Sequence, residues 1–199
     1  MIRRAVAVRF DRPAEAGRTR PILAVVETSD GVEHEVYLKA SGAPDLGVEG
    51  LANEAIAALL AADLSLPITE PFLVDLGPGW IQSIPDPTTR GMLTNSSPVA
   101  FASKSAGVQW HPWTRSDRLS NNQMANALAI FFFDALIQND DRRPDNPNLL
   151  VKGSEFRIID HELAFRLRLK LFPPPEPWRV GSMASGLNLT LGAHGGQRR

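Results

Sequence analysis

The chain has no cysteine among its 199 residues. That excludes disulfides, thiolate chemistry, and zinc or iron–sulfur sites built on cysteine. It also lacks a charge excess of either sign, with 21 basic residues against 22 acidic ones. Bulk attraction to nucleic acid or to a membrane surface is therefore not the expected mode of action. No stretch approaches the ~20 uninterrupted apolar residues that a spanning helix needs. The apolar residues near the start are interrupted by Arg3, Arg4 and Arg9, which does not fit an export signal, so a cytoplasmic protein is the expectation. There is no internal repeat, no Walker lysine loop and no G-x-S-x-G elbow. His34, His111, His161 and His194 show no metal-ligand spacing.

What is present begins with strands. Val6, Val8 and Phe10 alternate with Ala7 and Arg9, and Ile22–Thr28 is rich in β-branched residues. Ser29-Asp30-Gly31 then turns the chain into a second strand at His34–Ala40. Period-two alternation places Val36 and Leu38 on one face and Glu35, Tyr37 and Lys39 on the other. After a Gly/Pro/Ser loop, residues 51–62 read as a helix. Its expected apolar stripe is Leu51, Ala55, Leu59 and Ala62, widened by Ile56 and Leu60. Phe72–Leu76 and Trp80–Ser83 read as a second strand pair, Ile84–Ser97 as a surface connection, and Pro98–Ser103 as a short extended segment. Ser120-Asn-Asn-Gln123 fits a capping box. It opens a helix with the stripe Met124, Leu128, Phe131 and Ala135, widened by Ala127 and Leu136. Residues 173–199 form a Pro/Gly-rich tail of low apolar content, expected to be partly disordered. This order predicts an α+β chain, a small β-rich lobe with one helix and a reduced, mainly helical lobe, with a cleft between them.

The densest chemistry lies in Asn139–His161, NDDRRPDNPNLLVKGSEFRIIDH. A helix delivers the chain into a loop carrying Asp141 and Asn146. A hairpin pattern follows, Leu149-Leu150-Val151, turn, Phe156–Ile159, and ends at Asp160. Phosphoryl transfer needs a carboxylate near the attacking hydroxyl, oxygen ligands for Mg²⁺, and a cation on the phosphates. Asp141 can supply the first, Asn146 and Asp160 the second, and Lys39 the third. Glu54 can pair with Lys39 and hold its ammonium toward the cleft. Each residue alone has a plainer reading. An Asp/Asn-rich loop is often only a turn. A strand lysine and a helix glutamate are usually solvated. A calcium loop would need a central glycine and a terminal glutamate that are missing here. Asp160 differs, because it closes the apolar pair Ile158-Ile159, where a carboxylate without a cationic or metal partner is costly. Trp110 and Trp113 read as packing aromatics rather than a base-stacking surface. The joint order of lysine, glutamate, Asp-x₄-Asn, hairpin and Asp carries the functional reading.

These residues resemble a known family. Asp141-Arg-Arg-Pro-Asp-Asn-Pro-Asn-Leu-Leu150 and Ile158-Ile-Asp-His161 resemble the catalytic core of HipA-like kinases, and more distantly that of phosphoinositide and protein kinases. Gly17-Arg-Thr-Arg-Pro21 resembles their phosphate loop, and Val36-Tyr-Leu-Lys39 with Asn53-Glu54 resembles their nucleotide lysine and its glutamate. The resemblance covers about 16–165. It implies a bilobal kinase-like fold over 1–172, with lobes at about 1–84 and 85–172. It further implies ATP and Mg²⁺ as cofactors and a hydroxyl acceptor, in the best-known members a protein serine or threonine. Carried over, Asp141 is the catalytic base, Asn146 and Asp160 bind metal, and Lys39, Glu54 and Gly17 serve the nucleotide. Three features depart from the pattern. Asn148, directly before the leucine pair, competes with Asn146 as the metal asparagine. Asp160-His161-Glu162 stands where protein kinases have Asp-Phe-Gly. The stretch after Asp160 is short for an acceptor-binding lobe. A catalytically weak nucleotide-binding module and a small-molecule kinase are the alternatives. The acceptor, the oligomeric state and any antitoxin-like partner are not readable from the sequence.

Overall fold

The computed structural model describes residues 2–165 apart from 16, 115, 116, 118 and 144. The fold is mixed α+β. Five strands, β1 (Arg3–Pro13), β2 (Ile22–Thr28), β3 (Glu33–Lys39), β4 (Pro71–Asp75) and β5 (Val99–Lys104), close into a barrel in the order β1-β2-β3-β5-β4. The expected hairpin is present as β2–β3, with Ile22 opposite Leu38 and Val26 opposite His34. β1 runs antiparallel to β2 and parallel to β4, and its register with β2 shifts twice, between Ala7 and Arg9 and between Phe10 and Arg12. Such bulges bend a long strand so that it can serve two neighbours in a closed sheet.

A five-stranded barrel has little interior volume, and the inward residues are correspondingly small. Ala5, Ala7, Ala24, Val26, Val36, Leu38, Val74, Ala100 and Ala102 pack around Phe72. In β1 it is Ala5 and Ala7 that turn inward, while Val6 and Val8 are exposed. In β3 the even positions Val36 and Leu38 are fully buried, which directs the odd positions, Lys39 among them, out of the barrel.

Two short helices replace features predicted otherwise. Trp80–Ser83 is not a strand; it lies in α2 (Pro78–Ser83, with α1 being Gly47–Asp63), where Pro78 occupies the first turn with its fixed φ and no donor to lose. The predicted surface connection contains α3 (Pro87–Thr94). Asp86 caps it by accepting from the Thr89 amide at 2.6 Å. Ile84 and Leu93 from this stretch are almost fully buried at the end of the barrel. The single helix expected within the strand-rich part is therefore joined by two more.

Helix α1 forms as expected, but with a rotated face. Its buried residues are Gly50, Leu51, Asn53, Glu54, Ala57, Ala58 and Ala61, and Ile56 and Leu60 are exposed. The helix is wedged between two groups. Ala58 and Leu51 pack with Phe101 and Leu46, while Ala57 and Ala61 pack with Ile130, Phe133 and Phe156. Contact on both sides needs small side chains, so the alanines go inward and the bulky residues stay out. At Gly50 a Cβ would sit 2.5 Å from Leu46 Cδ1, so a larger residue there would displace the Leu46 side chain.

The other described elements are a three-stranded sheet, β6 (His111–Pro112), β7 (Leu149–Lys152) and β8 (Glu155–Ile158), and one long helix, α4 (Asn121–Ile137). The described part after β5 thus pairs one long helix with a small sheet. The capping box forms, with Gln123 accepting from the Ser120 amide at 2.9 Å. The α4 face is also shifted from expectation. Ala127, Ile130, Phe133 and Ile137 are buried, while Leu128, Phe132 and Leu136 are exposed. The helix is apolar on most sides, so hydrophobicity alone does not select the stripe that meets α1 and the hairpin. Trp113 packs against this second core, and Trp110 lies under the Arg157 guanidinium, 4.8 Å from its ring centre. Among the described residues no helix is long and apolar enough to cross a membrane. The predicted tail at 173–199 lies outside the described residues.

The inward alanine face of α1 makes a direct prediction. Ala57→Leu overpacks the contact with α4 and costs about 1–3 kcal/mol, whereas Ile56→Ala on the exposed face stays within about 1 kcal/mol. Urea denaturation of the two variants measures both.

Candidate functional site

The site is assembled around one ammonium. Lys39 ends β3 and points out of the barrel toward α1. Its Nζ donates to Glu54 Oε1 at 2.5 Å, Asp160 Oδ1 at 2.8 Å and Glu162 Oε2 at 2.8 Å. An ammonium has three N–H donors, and here each meets a carboxylate. The Lys39 side chain is 12% exposed and that of Glu54 3%. Burial alone would lower the lysine pKa, but the charges of Glu54, Asp160 and Glu162 outweigh it and hold the pKa above its ordinary value. Burial pushes the Glu54 carboxyl up, and the Lys39 charge opposes that rise. Glu54 also accepts from the His161 amide through Oε2 at 3.0 Å, so one glutamate ties β3, α1 and the segment after β8 together.

Asp160 is fixed from several sides. The Ile158 amide donates to Pro67 O at 2.8 Å, just after α1, and the Ile159 amide donates to Asn148 O at 3.1 Å. Asp160 itself has φ 60°, in the left-handed region where a non-glycine residue is strained. The turn aims its carboxylate back at Lys39. The Asp160 side chain remains 32% exposed, so it is less desolvated than its apolar neighbours Ile158-Ile159 suggested, and its cationic partner is Lys39.

Asp141 and Asn146 belong to a neighbouring cluster. Asn146 Nδ2 donates to Asp141 Oδ2 at 2.8 Å, and Asn148 Nδ2 donates to the same oxygen at 3.2 Å. Arg143 and Asn146 exchange backbone hydrogen bonds of 2.9 and 3.0 Å, which closes the loop tightly. The two competing asparagines thus both hold Asp141. Asn148 also adopts φ 43° and offers its carbonyl to Ile159, next to Asp160.

Arg142, for which the sequence pattern gives no role, joins the two clusters. Its side chain is 4% exposed. Nε donates to Asp134 Oδ2 on α4 at 2.6 Å, and Nη1 donates to the carbonyls of Pro147 and Asn148. Nη2 lies 3.1 Å from His161 Nε2. Burial, reinforced by the charges of Arg142 and Lys39, pushes the His161 pKa well below its usual value. The imidazole is therefore neutral and accepts from Arg142 through Nε2. One guanidinium, in its planar fork, thus spans α4, the Asp141 loop and the residue after Asp160.

Glu162 and Thr19 were also missed. Thr19, in the turn that starts at Gly17, is 3% exposed and donates to Glu162 Oε2 at 3.2 Å. Asn53 Nδ2 donates to the Glu162 carbonyl at 3.0 Å. Gly17 has φ 119°, and a Cβ there would sit 2.9 Å from Pro21 Cδ, so the turn requires glycine. The expected phosphate-loop segment therefore reaches the Lys39 cluster through Thr19. The only sequence signal for Glu162 was its place two residues after Asp160, and for Thr19 its place in the Gly17 turn. Glu54, Asp160 and Glu162 each present one oxygen within 4.8 Å of the others. These are hard oxygen donors of the kind that suit Mg²⁺.

Two predictions follow from Arg142 and His161. Arg142→Gln strands the buried Asp134 carboxylate and costs about 3–5 kcal/mol in urea denaturation. Arg143→Gln, which removes an exposed guanidinium 3.5 Å from the partly buried Asp141, costs under about 1 kcal/mol. The His161 pKa is depressed on folding, so the unfolded chain takes up that proton first as pH falls. Its contribution to stability is complete above about pH 6.5 and is lost below it. His161→Gln keeps an acceptor for Arg142 but does not titrate. Melting between pH 8 and 5 should fall less steeply for this variant than for the wild type.

The HipA-like kinase family matches residues 7–171 of the chain. No curated protein matches it. The family match covers the barrel, α1, the Asp141 loop and the hairpin that ends at Asp160. This chain belongs to the HipA-like kinase family.

Proposed function

We propose that this protein is an ATP- and Mg²⁺-dependent phosphotransferase that acts on a hydroxyl, that of a protein serine or threonine. The observation that carries the proposal is the buried Lys39 ammonium, hydrogen-bonded to both Glu54 and Asp160, beside a loop that presents Asp141. The protein acceptor rests on the likeness to HipA-like kinases. In this reading the barrel with α1 to α3 forms the nucleotide lobe, and α4 with the β6–β8 sheet belongs to the second lobe. In this reading β5, which pairs with β3 and β4, goes with the nucleotide lobe, and the proposed boundary falls after Lys104 rather than near residue 84.

The roles follow from chemistry and position. Lys39 binds the phosphates, and Glu54 keeps its ammonium aimed at them. The turn at Gly17 covers the phosphates. Asp141 accepts the proton of the acceptor hydroxyl as its oxygen bonds to the terminal phosphorus and the bond to the leaving ADP breaks. Asn146 and Asn148 hold the Asp141 carboxylate in one orientation by donating to Oδ2, leaving Oδ1 toward Arg143. Asp160 and Asn146 would hold Mg²⁺, which when bound supplies positive charge against the phosphate oxygens. Asp160 offers such an ion a carboxylate oxygen close to those of Glu54 and Glu162, and Asn146, which bonds Asp141 through Nδ2, keeps its amide oxygen as the donor it would use. Arg142 sets the distance between the Asp141 loop and Asp160 by bonding both neighbouring segments.

Incubation with γ-labelled ATP and Mg²⁺, alone and with a cell lysate or a metabolite panel, tests this reading. The expected result is label transfer that Asp141→Ala reduces by about 10²–10⁴-fold while nucleotide still raises the melting temperature. Lys39→Ala should weaken both. Transfer unchanged by Asp141→Ala would contradict the assignment. Stabilisation by nucleotide with no transfer to any acceptor would favour a binding module, and label on a metabolite a small-molecule kinase.

A further inference from the structure

Glu162 shares the oxygen-donor set of Glu54 and Asp160 but has none of the roles proposed above, and it is held from three sides. Its carbonyl takes the Asn53 amide at 3.0 Å, and a single oxygen, Oε2, takes both the Lys39 ammonium at 2.8 Å and the Thr19 hydroxyl at 3.2 Å. Its side chain is 10% exposed. Lys39 is already satisfied electrostatically by Glu54 and Asp160, so Glu162 adds a third carboxylate to one ammonium. The cluster therefore carries an excess of negative charge next to the group that should meet phosphate. A polyanion entering without a counterion is repelled there, and Lys39 must give up a bond to reach it. A nucleotide carrying its divalent ion is less anionic and brings a cation that the carboxylates attract.

We infer that Glu162 is a positioning residue that makes the site discriminate against metal-free nucleotide in favour of the metal-bound form, acting through Lys39. The inference rests on the proposed role of Lys39 as phosphate ligand. Glu162 does not take part in bond making. It also restrains the Gly17 turn through Thr19, but that contact involves no net charge and does not set the discrimination.

The test is equilibrium binding of ATP in Mg²⁺ and in chelator, read by titration calorimetry on the full chain. The wild type should bind the Mg²⁺ form more tightly. Glu162→Gln, of the same shape, and Glu162→Ser, which is smaller, should each tighten metal-free binding about tenfold and narrow the ratio between the two forms by a similar factor. Glu162→Asp should keep the wild-type ratio, and so should Thr19→Val, which removes the hydroxyl contact and leaves the charge. If the wild type discriminates and both neutral variants discriminate equally, the inference is overturned while the phosphotransfer reading stands. If Thr19→Val narrows the ratio as much as the neutral variants do, the contact rather than the charge is responsible and the inference also fails. If the wild type binds neither form, the phosphotransfer reading falls and takes this one with it.

Discussion

Three carboxylates share the ammonium of Lys39, and the placement of most other elements can be understood from that arrangement. An unpaired charge this far from water costs several kcal/mol, so each partner must be delivered accurately. Glu54 comes from α1, Asp160 from the end of β8, and Glu162 from the turn beyond it. For α1 to bring Glu54 within 2.5 Å of a barrel residue, the helix must lie close to the barrel and to α4 at once. That is why its inward positions are Ala57, Ala58 and Ala61 and why Ile56 and Leu60 are left outside. The packing of the helix and the chemistry of the site are therefore one constraint.

Arg142 does for the other half what Lys39 does for the first. It is a buried cation whose partners come from α4, from the loop carbonyls and from His161. Because it bonds the residues on either side of the gap between Asp141 and Asp160, it fixes the spacing of these two carboxylates. The left-handed backbone at Asn148 and Asp160 is the local cost of this compact junction. Asparagine tolerates that conformation well. At Asp160 the ion pair with Lys39 holds it in place.

Much of this was legible in the sequence, and the reasons differ by element. The β2–β3 and β7–β8 hairpins contain runs of β-branched or apolar residues bounded by turn residues, and the strands lie within a residue or so of where those runs put them. The pairing of Lys39 with Glu54 was readable because strand parity turns Lys39 away from Val36 and Leu38. The helix faces were not readable. In α1 and α4 apolar residues lie on several sides, and close approach, which favours alanine over isoleucine, decides which side turns inward. Trp80–Ser83 was misread because aromatic and β-branched residues suggest a strand, while Pro78 at a first turn starts a helix. Arg142, Glu162 and Thr19 depend on contacts across 19, 123 and 143 positions of chain. No local pattern encodes those contacts.

The proposed function makes the Lys39 cluster the seat of a metal–nucleotide complex. A crystal structure with Mg²⁺ and a non-hydrolysable ATP analogue tests it most directly. The expected result is a phosphate oxygen within hydrogen-bond distance of Lys39 Nζ, the ion on an Asp160 oxygen, and Glu54 still paired with the lysine. Lys39 remaining bound to all three carboxylates, with the nucleotide elsewhere on the molecule, would contradict it.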